Sequence, residues 1–261
     1  MSSNEKHTLL RAMEVYKNQI RGNISQLFRS GSKVKSNAKE SAMKILINSP
    51  FDLGPVVKFM KDVEESLKMS GHCYISLSFR TTASIIAGWS PIYFITEVPT
   101  AWDMILNVPY IMGSTIKGIV LDSFRSIYMG SAELERCIFG DKSSAGSFVF
   151  FDAYPVGVID QQGSQVNLLS TDLINPHYKG VRTEYDVNPV PIKYVAVKKG
   201  VLFRVFIAYR AEDAKRCSGN VMQELMKALL FSAKRGWGRR STRGYGRMKV
   251  EGQEVVVNCP S

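Results

Sequence analysis

The chain has 261 residues, 45% of them hydrophobic, and a formal net charge of +11. That apolar share supports a buried core and excludes a disordered tail, and no apolar run reaches the length that spans a bilayer. The polar, charged N-terminus lacks the apolar stretch of a signal peptide, so an intracellular, cytoplasmic protein is expected, with no membrane partner.

The location of the charge is more informative than its sum. Residues 1–49 contribute +6 and residues 234–249 contribute +7, which leaves −2 for everything else. Positive charge gathered in two segments of a near-neutral body points to a polyanion, and a phosphate backbone is the commonest one. The four cysteines, Cys73, Cys137, Cys217 and Cys259, lie far apart with no C-x-x-C pair and no histidine at ligand spacing. Buried or stray thiols are therefore expected rather than a disulfide framework or a metal site.

Along the chain, Leu9, Met13, Tyr16, Ile20, Ile24 and Leu27 fall at helical spacing, with Gly22 as a weak point inside the helix. The helix's apolar stripe must be buried somewhere, and docking on a neighbouring subunit is the expectation. The polar "SGSKVKSNAK" reads as a loop, and residues 39–47 and 55–69 as two further helices. From His72 onward β-formers dominate, which predicts a helical extension over residues 1–70 and a separate core over 71–261. Residues 88–103 read as an irregular insertion. A helix capped by Ser114 follows, with Ile116, Val120, Phe124 and Ile127 as its stripe, and then the strand "GSFVFFDAY". Residues 155–192, polar and rich in proline, read as a long functional loop. "IKYVAVKKGVLFRVFIAYR" reads as a hairpin turning at Lys199–Gly200, and Asn220 with Gln223 caps a last helix that Gly236 ends. The order strand, helix, strand, hairpin, helix, strand predicts an α+β, ferredoxin-like (RRM-like) domain with long loop insertions. One face of its sheet would be covered by two helices and the other left free to meet RNA.

Two stretches carry candidate chemistry. "KRGWGRRSTRGYGRMKV" holds seven Lys or Arg and no acid between Lys234 and Lys249. Gly236, Gly238, Gly244 and Gly246 let a polyanion approach the main chain, whose successive N–H groups can form an anion nest. Arg239, Arg240, Arg243 and Arg247 supply charge, Ser241 and Thr242 supply hydroxyl donors, and Trp237 or Tyr245 could stack on a base. The second stretch is "GSTIKG", where Ser114, Thr115 and Lys117 occupy the first turn of a helix. That turn is either an anion site or an ordinary helix start with an exposed lysine.

"PYIMGSTIKG" is similar to the P-x-I-P-G-S-S-[LI]-K-G segment of the RAMP superfamily of CRISPR proteins, and "RRSTRGYGRM" resembles that superfamily's C-terminal glycine-rich loop. "IFGD" followed by "AGSFVFFDA" looks like the strand after its first helix. "STDLINPHYKG" resembles the D-[VIL]-[LMIT]-x-P-H-Y element of the sixth subunit of the Cmr complex, the type III-B RNA-guided effector. The resemblance covers roughly residues 75–250, with Met112 in place of the usual proline and Thr115 in place of a serine. It implies a non-catalytic subunit without cofactors, near the 3′ end of a guide RNA and packed on the repeated backbone subunit. RNA contacts would come from the first helix turn, the glycine-rich loop, and His177, Tyr178 and Lys179 of the P-H-Y element. Guide and target RNA and the other Cmr subunits would be the partners, with residues 155–192 reaching the guide–target duplex. A superfamily relative cleaves RNA by acid–base catalysis, which needs a proton carrier beside the 2′-OH. Here the candidates are His7 in the N-terminal tail, His72, His177 and the lone carboxylate of Asp103. They do not make a convincing set.

Overall fold

The computed structural model describes residues 7–88, 95–128, 132–175, 191–217, 219–251 and 256–259. Helix α1 (Thr8–Gly22) stops at the weak point Gly22, and α2 (Ile24–Asn48) resumes at once, with non-helical backbone only at Ser30. The expected loop at 30–39 is therefore helix. Val34, Ala38 and Ala42 are buried at four-residue spacing, a small-residue stripe masked by the lysines and serines between them. A two-residue strand β1 (Phe51–Asp52) leads into α3 (Gly54–Met69), which carries Pro55 in its first turn.

The central strand β2 (Cys73–Thr81) follows, then the short pair β3 (Trp102–Asp103) and β4 (Val108–Pro109), and α4 (Gly113–Ile127). Next come α5 (Ala132–Phe139), β5 (Phe148–Phe150), β6 (Tyr154–Val158), β7 (Gln165–Val166) and β8 (Leu169–Ile174). The chain continues through β9 (Ile192–Val197), β10 (Val201–Tyr209), α6 (Ala211–Arg216) and α7 (Val221–Arg235). It closes with β11 (Met248–Val250) and β12 (Val256–Asn258). Much of 155–175, expected to be loop, is thus short strand.

The main sheet has the order β11-β2-β10-β5, with β12 also on β2 and β6 also on β10, all antiparallel. Phe79 meets Trp237 at 4.9 Å between ring centroids, so the odd-numbered side chains of β2 (Ile75, Leu77, Phe79) face the layer that holds α7. The opposite face of the sheet, expected to be free, is covered at one end. Tyr74 donates to Glu64 of α3 at 2.8 Å and packs edge-on to Phe206 of β10. Helix α3 covers that end, and half-buried Ser76, Ser78, Arg80 and Arg204 occupy the remainder.

Strands β9 and β10 do not form the expected hairpin. β10 pairs with β2, β5 and β6, whereas β9 pairs with β8 and is bridged to the segment after β2 by Val197 with Ile85. The Lys199–Gly200 turn exists, with φ +90° at Gly200, but it passes the chain from one sheet to another. Local turn signals predict the turn and not the partners that compete for each strand.

The N-terminal helices share the main core: Leu9, Ala12, Met43 and Leu46 lie in the same buried cluster as Ile75, Phe203 and Leu225. Part of the α1 stripe is therefore covered by the protein's own core rather than kept for a neighbour. His7, expected in a tail, caps α1, with Nδ1 accepting from the Leu10 N–H at 3.2 Å.

The cysteines also depart from expectation. Cys73 is bonded to Cys259 and Cys137 to Cys217, at sequence separations of 186 and 80. Spacing reveals only local frameworks, whereas here the pairing of β12 with β2 brings Cys259 to Cys73. Among the described residues, no helix is long and apolar enough to cross a membrane.

Candidate nucleic-acid interface

The basic stretch begins where α7 ends at Gly236, and its ends are closed by the Trp237 N–H donating to the Gly246 carbonyl at 2.9 Å. A single 3₁₀ turn, Ser241–Arg243, forms the tip, and Arg240 enters it with φ +60°. Glycine at 246 is required, because φ is +70° and a Cβ there would overlap the Trp237 carbonyl. The loop lies along residues 82–87. Arg239 N–H donates to the Ile86 carbonyl at 2.8 Å, Gly246 N–H to Ser84 at 2.9 Å, and Thr82 N–H to Arg247 at 2.8 Å.

These anchors revise the expected anion nest. The N–H groups of Trp237, Arg239, Arg243, Gly244, Tyr245 and Gly246 all donate within the protein. What the loop can offer an anion is therefore mainly its side chains. Arg239, Thr242, Arg243 and Arg247 are exposed, Arg240 and Ser241 half-buried, and the rigid backbone holds them in fixed relation.

Neither aromatic residue is a free stacking platform. Trp237 is fully buried, packs on Phe79, and donates its Nε1–H to the Ser232 hydroxyl at 2.9 Å. No face of the indole is left for a base, so the stacking expectation for Trp237 is wrong: the residue is a core anchor of the loop. Tyr245 is half-buried. Its hydroxyl donates to Asp172 at 2.6 Å and accepts from Tyr194 at 2.9 Å, and the Arg240 guanidinium sits 5.8 Å from its ring centroid. Burial, then the neighbouring carboxylate, pushes the Tyr245 phenol above its usual range, and burial with the Tyr245 contact does the same for Tyr194. Both stay neutral at ordinary pH and serve as hydrogen-bond links.

Asp172 is the residue that sequence reasoning overlooked. It is the acid of the "DLINPHY" element, on β8, and Tyr194 is on β9. The hairpin element and the glycine-rich loop are therefore one hydrogen-bonded unit, which their 73-residue separation conceals. His177, Tyr178 and Lys179 lie outside the described residues.

At the other stretch, α4 starts at Gly113 with Met112 at the cap, so Ser114 is exposed in the first turn and does not cap. The capping acceptor comes from elsewhere: Asp152 takes the Gly113 N–H at 2.6 Å. Gly113 is packed so tightly that a Cβ would overlap the Phe150 carbonyl. By helix geometry the N–H groups of Ser114 and Thr115 have no intrahelical acceptor, and half-buried Lys117 lies one turn on. An anion here would share the turn with the Asp152 carboxylate. The two stretches flank one segment. Gly238 abuts Ile86 and Ala87, and the next residue, Gly88, abuts the Met112 side chain.

Three of the four groups considered as proton carriers are engaged, and the fourth, His177, lies outside the described residues. Asp103 accepts from Ile105 and Leu106 N–H with one oxygen and from the Tyr154 hydroxyl, at 2.8 Å, with the other. His7 holds the start of α1, with its Nε2 also 3.0 Å from the Met104 carbonyl, and His72 is 2.9 Å from the Ser70 hydroxyl.

The sequence profile of the RAMP superfamily matches residues 93–249. The chain belongs to the RAMP superfamily. This RAMP protein is 28% identical over 220 residues to the CRISPR system Cmr subunit Cmr6 of Saccharolobus solfataricus, covering 84% of this chain and 72% of that one. It is 29% identical over 120 residues to the Cmr6 subunit of Pyrococcus furiosus, covering 42% of this chain and 33% of the relative. Its fold superposes with a TM-score of 0.71 and 28% identity on a chain of the cryo-EM structure of the Type III-B Cmr-beta bound to cognate target RNA. That likeness covers 85% of this chain and 73% of the other.

Proposed function

We propose that this RAMP protein is a non-catalytic, RNA-binding subunit of a type III-B Cmr effector complex. It holds the 3′ part of a guide RNA and the guide–target duplex by their backbones and packs against the repeated backbone subunit. Base pairing would carry the sequence recognition. The observation that carries the reading is a set of exposed arginines on a loop locked from both sides, in a fold like that of a chain in an RNA-bound Cmr complex. The engagement of Asp103, His7 and His72 in structural hydrogen bonds supports the non-catalytic part.

We further infer that residues 71–261 are a ferredoxin-like core to which residues 1–70 add a helical extension. The order β11-β2-β10-β5, with α4 between β2 and β5 and α7 between β10 and β11 in sequence, supports this.

The test is affinity purification of the tagged full-length chain, with mass spectrometry and small-RNA sequencing. Other Cmr subunits and guide-length RNAs are expected, and recovery of neither overturns the proposal. Arg239→Ala with Arg243→Ala should flatten the slope of log K against log salt by about 1.4 for single-stranded RNA.

A further inference from the structure

A second group of cations stands where the glycine-rich loop returns to the sheet. Lys198 and Lys199 lie in the turn before β10, and that turn is tied to the end of β2. Gly200 N–H donates to the Thr81 carbonyl at 2.9 Å. The Thr81 hydroxyl donates to the Lys198 carbonyl at 2.9 Å and accepts from Val201 N–H at 3.0 Å. One residue earlier on β2, Arg80 is directly opposite Lys249 of β11. One residue later, the Thr82 N–H and hydroxyl both donate to the Arg247 carbonyl. Five basic residues are thus placed at or beside residues 80–82, at the end of β2.

Two features separate this group from an ordinary basic surface. Arg80 and Lys249 are like charges in direct register, an arrangement that opposes strand pairing, and Glu251 offsets only one of the two. Outside residues 1–49 and 234–249 the chain sums to −2, so Arg80, Lys198 and Lys199 are a local concentration in an otherwise slightly acidic body. Among the described residues the acids nearby are Glu251, whose carboxylate takes the Arg80 Nε at 2.8 Å, and exposed Asp160, whose neighbour Ile159 donates its N–H to the Gly200 carbonyl. They leave the group net positive. Lys199, Arg247 and Lys249 are exposed.

We propose that this end of the sheet is a second phosphate-binding site, which extends the grip of the glycine-rich loop along one RNA strand. Arg239 and Arg243 hold one stretch of phosphodiester backbone. Arg247, at the junction, passes the strand to Lys249, Lys199 and Lys198. The contacts are to phosphates, so the site adds affinity and salt dependence without base preference. This inference rests on the reading of the loop as RNA-binding.

The test compares the full-length protein with Lys199→Ala/Lys249→Ala on single-stranded RNAs of unrelated sequence over a range of salt. The variant should flatten the log K against log salt slope by about 1.4, and combining it with Arg239→Ala/Arg243→Ala should flatten it by about 2.8. Lys199→Arg/Lys249→Arg keeps the charge and should restore the wild-type slope. If the lysine pair leaves the slope unchanged while the arginine pair flattens it, the extension is wrong and the loop reading stands. If neither pair changes it, both fall. A flattened slope that the arginine replacements do not restore means the effect is not charge, and it also overturns the proposal.

Discussion

Replacing Trp237 separates two roles that one position could have. As a base-stacking residue, alanine there would cost about 1–3 kcal/mol of RNA affinity and leave the free protein's stability unchanged. The structure makes the opposite prediction. The indole is fully buried against Phe79, and its N–H is held by Ser232. Removing a buried tryptophan leaves a cavity and costs about 3–5 kcal/mol of folding stability. At about 2–4 °C per kcal/mol for a chain of this size, Trp237→Ala should melt about 6–20 °C below wild type. Trp237→Phe is the finer probe, because it keeps most of the packing but removes the donor. The Ser232 hydroxyl still donates to the Leu229 carbonyl at 2.6 Å, yet loses the partner it accepts from, at a cost of about 1–3 kcal/mol. The assay is a thermal melt beside RNA titrations taken well below both melting temperatures. A lower melt for Trp237→Phe with RNA affinity within about twofold is the expected result. An unchanged melt with a large loss of RNA affinity would refute the core assignment.

Asp172→Ala removes the acceptor for the Tyr245 hydroxyl but no cation, so RNA affinity should fall several-fold while the salt slope stays at its wild-type value; a flattened slope would mean that Asp172 does more than position the loop. Reducing both disulfides should lower the melting temperature, since closing loops of 80 and 186 residues each removes about 4–5 kcal/mol of denatured-state entropy in the chain-entropy model. A melt insensitive to reductant, with free thiols verified by alkylation, would contradict that. Deleting residues 1–36 uncovers the core at Leu9 and Ala12 and should destabilise the fold, so a truncation that melts like the full chain would return these helices to a docking role. Purified protein should leave guide precursor and target RNA intact with or without Mg²⁺, and cleavage lost in His72→Ala would reverse the non-catalytic reading.

What the sequence determined by itself was the chemistry that is local along the chain. The stripe of α4, the Asn220 cap of α7 and the concentration of arginines between glycines are all patterns within one or two turns. They appear in the structure at the expected positions, except that Ile127, at the end of the α4 stripe, is exposed. The small-residue stripe of α2 was in the same class but was hidden by its weak hydrophobic contrast. Tertiary structure alone decided everything that depends on which distant segments meet. β9 left β10 for β8, since a strand's partner is chosen by competition among all available edges and not by the nearest turn. The cysteines paired across 80 and 186 residues for the same reason. Trp237 turned inward because Phe79 and Ser232 offer its ring and its N–H a better environment than water, and Asp172 became the support of Tyr245 from another sheet. Composition could place a glycine-rich, basic loop on this protein, but only packing could decide which of its side chains face solvent and which hold it in place.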